Sequence, residues 1–366
     1  MKNAVIVLPT YNERENVGHI IPAIFDAVKN LTQWDIHILV VDDKSPDGTE
    51  VEIKKLQQLY KNLHLLSENK QGLGKAYING FSYALKNLQP SVLFEMDADL
   101  SHDPLLLPHM LQKIEGGADF VLGSRYIPGG SIPHNWGFLR KVYSVLGNLV
   151  IQLGFMNLKI HDWTTGYRAI KSWLVKEIVP EMDPYGGYVF QMAFLDKAIK
   201  RNAVITEVPL NFVDREKGVS KINVSETILA IYSYVFQNSS FIKYVLVGFT
   251  GFAVDFGLTK VGLDILKFPV WLSTVISTLS AMTTNFFLNN YWAFAHKRIK
   301  GIIPQVKKYI QFVVVSSGSV LIQTVGMEVS TRMLGMQFWY VYKAIIIGLI
   351  IIPYSYFMYN KYVWKK

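Results

Sequence analysis

Short apolar runs separated by polar stretches of helical period fill the first 224 residues of this chain. Val5-Ile6-Val7-Leu8 is the first run and Ile36-His37-Ile38-Leu39-Val40-Val41 the second. Each ends in polar residues, and each is then followed by a helical pattern. That rhythm predicts βα units in a mostly parallel sheet. A third run, Val92-Leu93-Phe94, leads into Glu95-Met96-Asp97-Ala98-Asp99-Leu100-Ser101. Ligands of open α/β sheets bind beyond the carboxyl ends of the strands. Pro9 to Glu13, Asp43 and the aspartate pair are therefore expected along one edge.

The pattern changes near Ser225, where long apolar stretches begin. Four transmembrane helices are predicted, at about Ile242 to Leu266, Val270 to Trp292, Tyr309 to Leu334 and Tyr340 to Tyr359. Each reaches the roughly 20 residues that cross a bilayer, and aromatic residues sit near their ends as interfacial anchors do. Four consecutive segments of this length and apolarity do not suit a buried bundle. Two further segments are amphipathic. Ser225 to Ser240 carries Ile228, Leu229, Ile231, Tyr232, Val235 and Phe236; Phe138 to Phe155 carries Val142, Val145, Leu146, Leu149 and Leu153 behind Arg140 and Lys141. Both fit helices lying along a membrane, with ordinary core packing the alternative. Asp255, Asn285 and Asn289 fall within spans, where a charge marks a pathway or a helix–helix hydrogen bond.

Composition narrows the class. The chain has 366 residues, 50% hydrophobic, with a mean hydropathy of +0.21. No cysteine is present, which excludes disulfides and thiolate metal sites. The N-terminus runs straight into a strand, with no cleavable signal expected. Net charge is +9. The basic residues cluster near apolar segments, so an anionic membrane surface is the expected partner, not nucleic acid. The turn His296-Lys297-Arg298-Ile299-Lys300, Lys307-Lys308, and the terminal Lys361, Lys365 and Lys366 belong on the cytoplasmic side by the positive-inside rule. An even number of spans then places the first 224 residues and the C-terminus there together.

Asp97 and Asp99 are the candidate chemistry. Residues i and i+2 of an extended segment point to one side. Hard oxygen ligands suit Mg²⁺ or Mn²⁺, whose shell substrate phosphates usually complete. A solvated turn is the alternative.

The order PTYNERENV, VVDDKSPDGT, GLGKAYINGF, EMDADLSHDP and GSRYIPGG resembles the inverting family 2 glycosyltransferases with the GT-A fold. The later IPHNWGFLRK, DWTTGYRAI, GYVFQM and FVDREKGVSKI resemble the polyprenyl-phosphate (dolichyl-phosphate) mannose synthases within it. The second half is similar to the GtrA-like membrane domain in KYVLVG and NNYWAF. The resemblance implies an α/β GT-A, Rossmann-like catalytic domain over residues 1–224. A juxtamembrane amphipathic helix over 225–240 and an all-α, four-helix transmembrane domain over 241–366 would follow.

It also implies roles. Asp97 and Asp99 would hold the divalent metal, with Ser101 as third contact, although many relatives carry an amide there. Asp97, Asp99 and Arg125 form the catalytic set. Pro9, Tyr11, Glu13, Asp43, Asp97 and Gln191 would bind the nucleotide-sugar, and Trp163 would offer an apolar wall to sugar or lipid. Gly72-Leu73-Gly74-Lys75 fails the Walker A spacing and is expected as pocket wall, Lys75 a minor candidate. Arg125, Arg140, Ser144, Arg215 and Lys221 would bind the acceptor phosphate. A phosphate monoester is already ionised near neutral pH, with a second pKa of about 6. Its site therefore needs orienting cations and no strong base. The expected reaction is inverting transfer of mannose from GDP-mannose to polyprenyl or dolichyl phosphate at the bilayer, giving a β-linked product. A polyprenyl-phosphate glucose synthase using UDP-glucose is the near alternative. A lipid-sugar flippase with a nucleotide-sugar-binding domain, supported by Asp255, is the alternative of another class. A processive synthase is disfavoured, since no Gln-x-x-Arg-Trp motif occurs.

Overall fold

The computed structural model describes residues 2–214, 224–335 and 337–365. The chain forms two compact units, Met1–Val235 and Phe236–Lys366. In the first, the elements run β1 (Lys2–Thr10), α1 (Arg14–Val28), β2 (Trp34–Asp42), α2 (Thr49–Gln57), β3 (Leu63–Ser67) and α3 (Leu73–Asn87). They continue as β4 (Val92–Glu95), α4 (Leu107–Glu115), β5 (Phe120–Ser124), α5 (Phe138–Phe155) and β6 (Arg168–Lys171). Then come α6 (Ser172–Ile178), α7 (Gly187–Lys200), β7 (Ile205–Pro209) and α8 (Val224–Asn238).

The sheet has the order β3-β2-β1-β4-β6-β5-β7. β6 runs antiparallel to β4 and β5; the other pairs are parallel. Ala4 to Leu8 are all buried, because helices cover both faces of this GT-A-like sheet. That is why β1 reads as a continuous apolar run and not as an alternation. The registers Thr10↔Asp42 and Val7↔Glu95 set the carboxyl ends of β2, β1 and β4 side by side.

α5 is inside out for a soluble protein. Only Asn148 and Ile151 are buried, while Phe138 is 78% and Leu139 63% exposed, and Val145, Leu146, Leu149 and Leu153 stay open. Its inward face is polar: Asn148 Oδ1 accepts from the Trp163 backbone N–H at 2.8 Å, and Gln152 Nε2 donates to the His161 carbonyl. α8 divides its faces, with Tyr234 and Val235 buried and Leu229, Tyr232 and Phe236 exposed. Tyr234 donates to Asp196 at 2.9 Å.

The second unit contains α9 (Ser240–Lys260), α10 (Val270–Leu288), α11 (Ile302–Leu334), α12 (Trp339–Ile345) and α13 (Ile352–Met358). A π-helical stretch, Ile346–Ile351, joins the last two. Three segments of the described residues are long and apolar enough to span a membrane: Ser240–Ile265, Ile302–Leu334 and Val341–Val363. The fourth expected segment falls on α10. α10 forms as a helix but is diluted by Ser273, Thr274, Ser277, Thr278, Ser280, Thr283 and Thr284.

Two of those hydroxyls have partners on α9. Ser277 and Thr278 donate to Asp255 Oδ1 at 2.8 and 3.1 Å, and Thr259 donates to Ser277. A Cβ on Gly251 would lie 2.2 Å from the Asn285 amide, so only glycine permits this approach. Asp255 therefore serves helix–helix pairing, which removes the main support for transport. Asp255→Ala should leave transfer largely intact and lower stability by about 0.6 to 1.7 kcal/mol. Turnover and thermal unfolding of the detergent-purified protein check this; lost transfer in a folded variant would give the bundle a catalytic part.

Candidate active site

β4 ends at Glu95, and the aspartates follow in a bend instead of an extended strand. Asp97 N–H donates to His102 Nδ1 at 3.0 Å. That nitrogen therefore carries no proton, and the ring is the neutral Nε2–H tautomer. Burial pushes the His102 pKa down to about 4; Asp99 opposes the shift and Arg125 adds to it. The ring stacks on Tyr167, centroids 4.8 Å apart. An uncharged, wedged imidazole thus shapes the acidic loop.

Asp97 Oδ1 accepts from Tyr77 Oη at 3.4 Å, and Oδ2 lies 3.8 Å from His102 Nε2. Asp99 Oδ1 accepts from the Ser101 backbone N–H at 3.1 Å and from its hydroxyl at 2.6 Å. Ser101 is buried and in this arrangement orients Asp99. A Cβ on Gly166 would touch Asp97 Oδ2, Gln191 Nε2 and His102 Cε1 at 3.6 to 3.7 Å. These side chains converge on one backbone position that carries no side chain.

Beneath them lie Glu95 and Arg168, both fully buried, with 3.8 Å between Oε2 and Nε. Arg168 donates to the carbonyls of Thr165, Gln191 and Trp163. It ties the β5–β6 connection to α7 and does not face a ligand. Burial raises the Glu95 pKa to about 7 against the pull of Arg168. Trp163 is also fully buried and stacks on Phe155 at 5.1 Å. It cannot form the exposed wall expected of it, because the polar face of α5 closes over it.

Pro9, Tyr11, Glu13 and Asp43 share the neighbouring edge. Pro9 pairs with Val41 across β1 and β2. Lys70 Nζ sits 3.4 Å from the Tyr11 ring centroid, and Glu13 Oε2 accepts from Asn16 at 2.6 Å. Asp43 accepts backbone N–H groups of Gly72 and Gln71. Burial raises its pKa, Asp42 adds to the rise, and Lys70 opposes it. Asp42 is wholly buried, taking hydrogen bonds from Thr10 and Ser45, and braces the turn that presents Asp43. Lys75, at the start of α3, pairs with Asp183.

Further along the site, Arg125 Nε and Nη2 grip Asp162 Oδ2 and Oδ1, both at 2.7 Å, and Nη2 also reaches Thr164. Asp162 is 0% exposed, and the Arg125 side chain only 8%. Although burial alone would raise it, Arg125 holds the Asp162 carboxyl below the usual range. Arg140 projects from the first turn of α5, 51% exposed, its guanidinium 3.9 Å from the Trp136 ring centroid. It contacts Asp214 at 3.3 and 3.4 Å. Ser144, one turn on, shares a hydrogen bond with Tyr126. Arg215 and Lys221 lie outside the described residues.

Residues 5–178 match the model of glycosyl transferase family 2, and residues 243–364 that of the GtrA/DPMS transmembrane domain. The polyprenol monophosphomannose synthase of Mycolicibacterium smegmatis is 39% identical, over 61% of this chain and 82% of its own. The dolichol-phosphate mannosyltransferase of Pyrococcus furiosus is 30% identical over 83% of this chain and 84% of its own. The chain belongs to glycosyltransferase family 2. Among solved structures, mannosyl-3-phosphoglycerate synthase from Rubrobacter xylanophilus aligns at 19% identity and a TM-score of 0.47, over 64% of this chain and 72% of its own.

In this glycosyltransferase, several site residues escaped the sequence. His102 follows the acidic pair directly, yet nothing local marks its ring as the backbone acceptor. Tyr77 sits mid-helix in α3 and gives no signal. Asp162 stands inside DWTTGYRAI, so its motif was visible, but its grip on Arg125, 37 positions away, was not.

Proposed function

We propose that this chain transfers mannose from GDP-mannose to a polyprenyl phosphate, with inversion, at the cytoplasmic membrane face. One observation carries the acceptor reading. α5 turns its apolar face outward and sets Arg140 at its start, the arrangement for holding a phosphate at the surface of a bilayer that receives the tail. The names of the two relatives support the sugar and the lipid class, and the loop lysines support the orientation.

Asp97 and Asp99 are the residues that would hold Mg²⁺ or Mn²⁺. Among the described residues no group of three or more His, Asp and Glu side chains could hold a metal alone. Two carboxylates at a strand end fit an ion whose remaining ligands are diphosphate oxygens and water. Such an ion, when bound, neutralises charge growing on the leaving diphosphate. Tyr77, His102 and Ser101 keep the two carboxylates in place. Pro9, Tyr11, Glu13 and Asp43 take the base and ribose, and Gln191 the sugar side. Arg140, with Arg125, Ser144, Arg215 and Lys221, orients the acceptor phosphate. Its ionised oxygen attacks the anomeric carbon from the face opposite the diphosphate, which inverts that centre without a general base.

Asp214 competes with the acceptor for Arg140. Asp214→Asn should lower the acceptor KM by roughly two- to fivefold, the worth of an exposed ion pair, with kcat unchanged. A raised KM would instead make Asp214 a guide for Arg140. The reaction itself is tested by incubating the membrane protein with labelled GDP-mannose or UDP-glucose, a polyprenyl phosphate and Mn²⁺ or Mg²⁺. Lipid-linked mannose is expected; lipid-linked glucose would select UDP-glucose as donor, and no lipid-linked sugar from either would overturn the proposal.

A further inference from the structure

A cavity of about 800 Å³ opens in the membrane unit, between the polar turn after α10 and the start of α11. Arg298, Lys300, Lys307, Lys308 and Lys365 line it, and among the described residues no Asp or Glu does. Neutral groups position the cations. Lys308 Nζ donates to the Tyr362 carbonyl at 2.7 Å, and the Arg298 guanidinium lies 4.1 Å from the Tyr291 ring centroid. The positive end of the 33-residue helix α11 opens beside them.

Loop cations also set membrane topology, but topology requires only their number on one side. It does not require that they line one cavity. Nor does it require that Lys307 and Lys308 stand inside a helix and that Lys365 arrive from the far end of the chain to meet them. From this cavity, where Ile303 forms part of the wall, an exposed apolar row runs along α11. Ile303 is 83%, Val306 55%, Ile310 60% and Val314 66% exposed. A headgroup in the cavity would continue into a tail on that row.

We propose that this cavity binds the monoester phosphate of a second polyprenyl phosphate, as a holding site built wholly from the membrane unit. For the chemistry of the lipid this rests on the acceptor named above. The cations select the monoester, which carries nearly two negative charges near neutral pH against one on a phospholipid diester. The row of side chains selects a lipid over free phosphate.

The test is native mass spectrometry of the purified full-length protein with polyprenyl phosphate, phosphatidylglycerol or inorganic phosphate as probe. The wild type should retain two polyprenyl phosphates per chain. The variant Arg298→Gln, Lys300→Gln, Lys307→Gln should retain one, its second-site affinity at least about tenfold weaker, since each cation near a lipid phosphate is worth about fivefold. Lys300→Arg with Lys307→Arg should keep both, separating charge from fold. Should the triple variant not fold, Lys300→Gln and Lys307→Gln singly carry the test at about fivefold each. Two lipids on the triple variant, equal retention of phosphatidylglycerol at the second site, or its displacement by inorganic phosphate would overturn the proposal. Transfer at saturating acceptor should be unchanged in these variants. A wild type that makes no lipid-linked sugar yet shows this charge-dependent second site would sink the catalytic reading and leave the holding site standing.

Discussion

Asp99→Ala should reduce glycosyl transfer by about 10²- to 10³-fold or more, the scale of losing one preorganised electrostatic group at a developing charge. The physical case rests on what Asp99 touches. Ser101 donates to it from both its backbone N–H and its hydroxyl within the same turn. Truncation frees a local hydroxyl and amide, while Met96 and Ala98 on either side of the acidic pair stay in the apolar core. What is lost is half of the carboxylate pair that would hold a divalent ion against the leaving diphosphate. Chelation of divalent metal should impair the wild type to a similar degree, with recovery on adding Mn²⁺ or Mg²⁺. Turnover, thermal unfolding and metal-dependent nucleotide binding on the same preparation decide the matter. A folded Asp99→Ala protein with near-normal turnover would dismiss the metal assignment.

Asp162→Asn should destabilise the catalytic unit by about 3 to 5 kcal/mol at neutral pH, the cost of removing one partner from a buried pair. The geometry justifies the upper class of effect. The pair is bidentate, both side chains are nearly inaccessible, and Asp162 also accepts the Arg125 backbone N–H. Asparagine keeps the shape and one acceptor but leaves the guanidinium without its counter-charge. The pH dependence has a definite sign. The folded Asp162 carboxyl titrates below its ordinary value of 3.8. The stability it adds is thus present above that value and is lost as pH falls through the lower, folded one. Wild type and variant should converge in acid and differ fully at pH 7. Denaturation midpoints across that range check this. A constant difference at every pH would mean that the loss is one of shape, not of charge.

Transfer should fall in the same variant, because Arg125 would turn toward other acceptors. This makes Asp162 a positioning residue. Arg125, expected from the sequence as a ligand for the acceptor phosphate, is held on one side by Asp162 and Thr164. Arg140, by contrast, stands half-exposed at the start of α5, with long contacts to Asp214 and the Trp136 ring beside it. The sequence offered both arginines to the acceptor phosphate and Arg125 to the catalytic set as well. Burial separates them.

Other features were legible because they are local. Strand ends were readable from apolar runs that stop at Thr10, Asp42 and Glu95, and parallel pairing then brings those ends together. The membrane spans were readable from length and composition, except that α10 carries hydroxyls that its neighbour α9 uses. The outward apolar face of α5 was readable as periodicity. That this face stays open was not, because a helix of that pattern packs as readily onto a core. Only the docking of Asn148 and Gln152 on the segment 161–163 decided which way it turns.

By itself, then, the sequence determined the order of strands and helices, the acidic turn after β4, the apolar spans and the family. These follow from period, turn chemistry and hydrophobicity, each set within a few residues. Tertiary structure alone decided that His102 is a neutral wedge, that Trp163 is core, that Asp162 owns Arg125, and that cations from the middle and the end of the membrane unit meet in one cavity. Those outcomes depend on which distant segments exclude water from one another, and no local pattern encodes that.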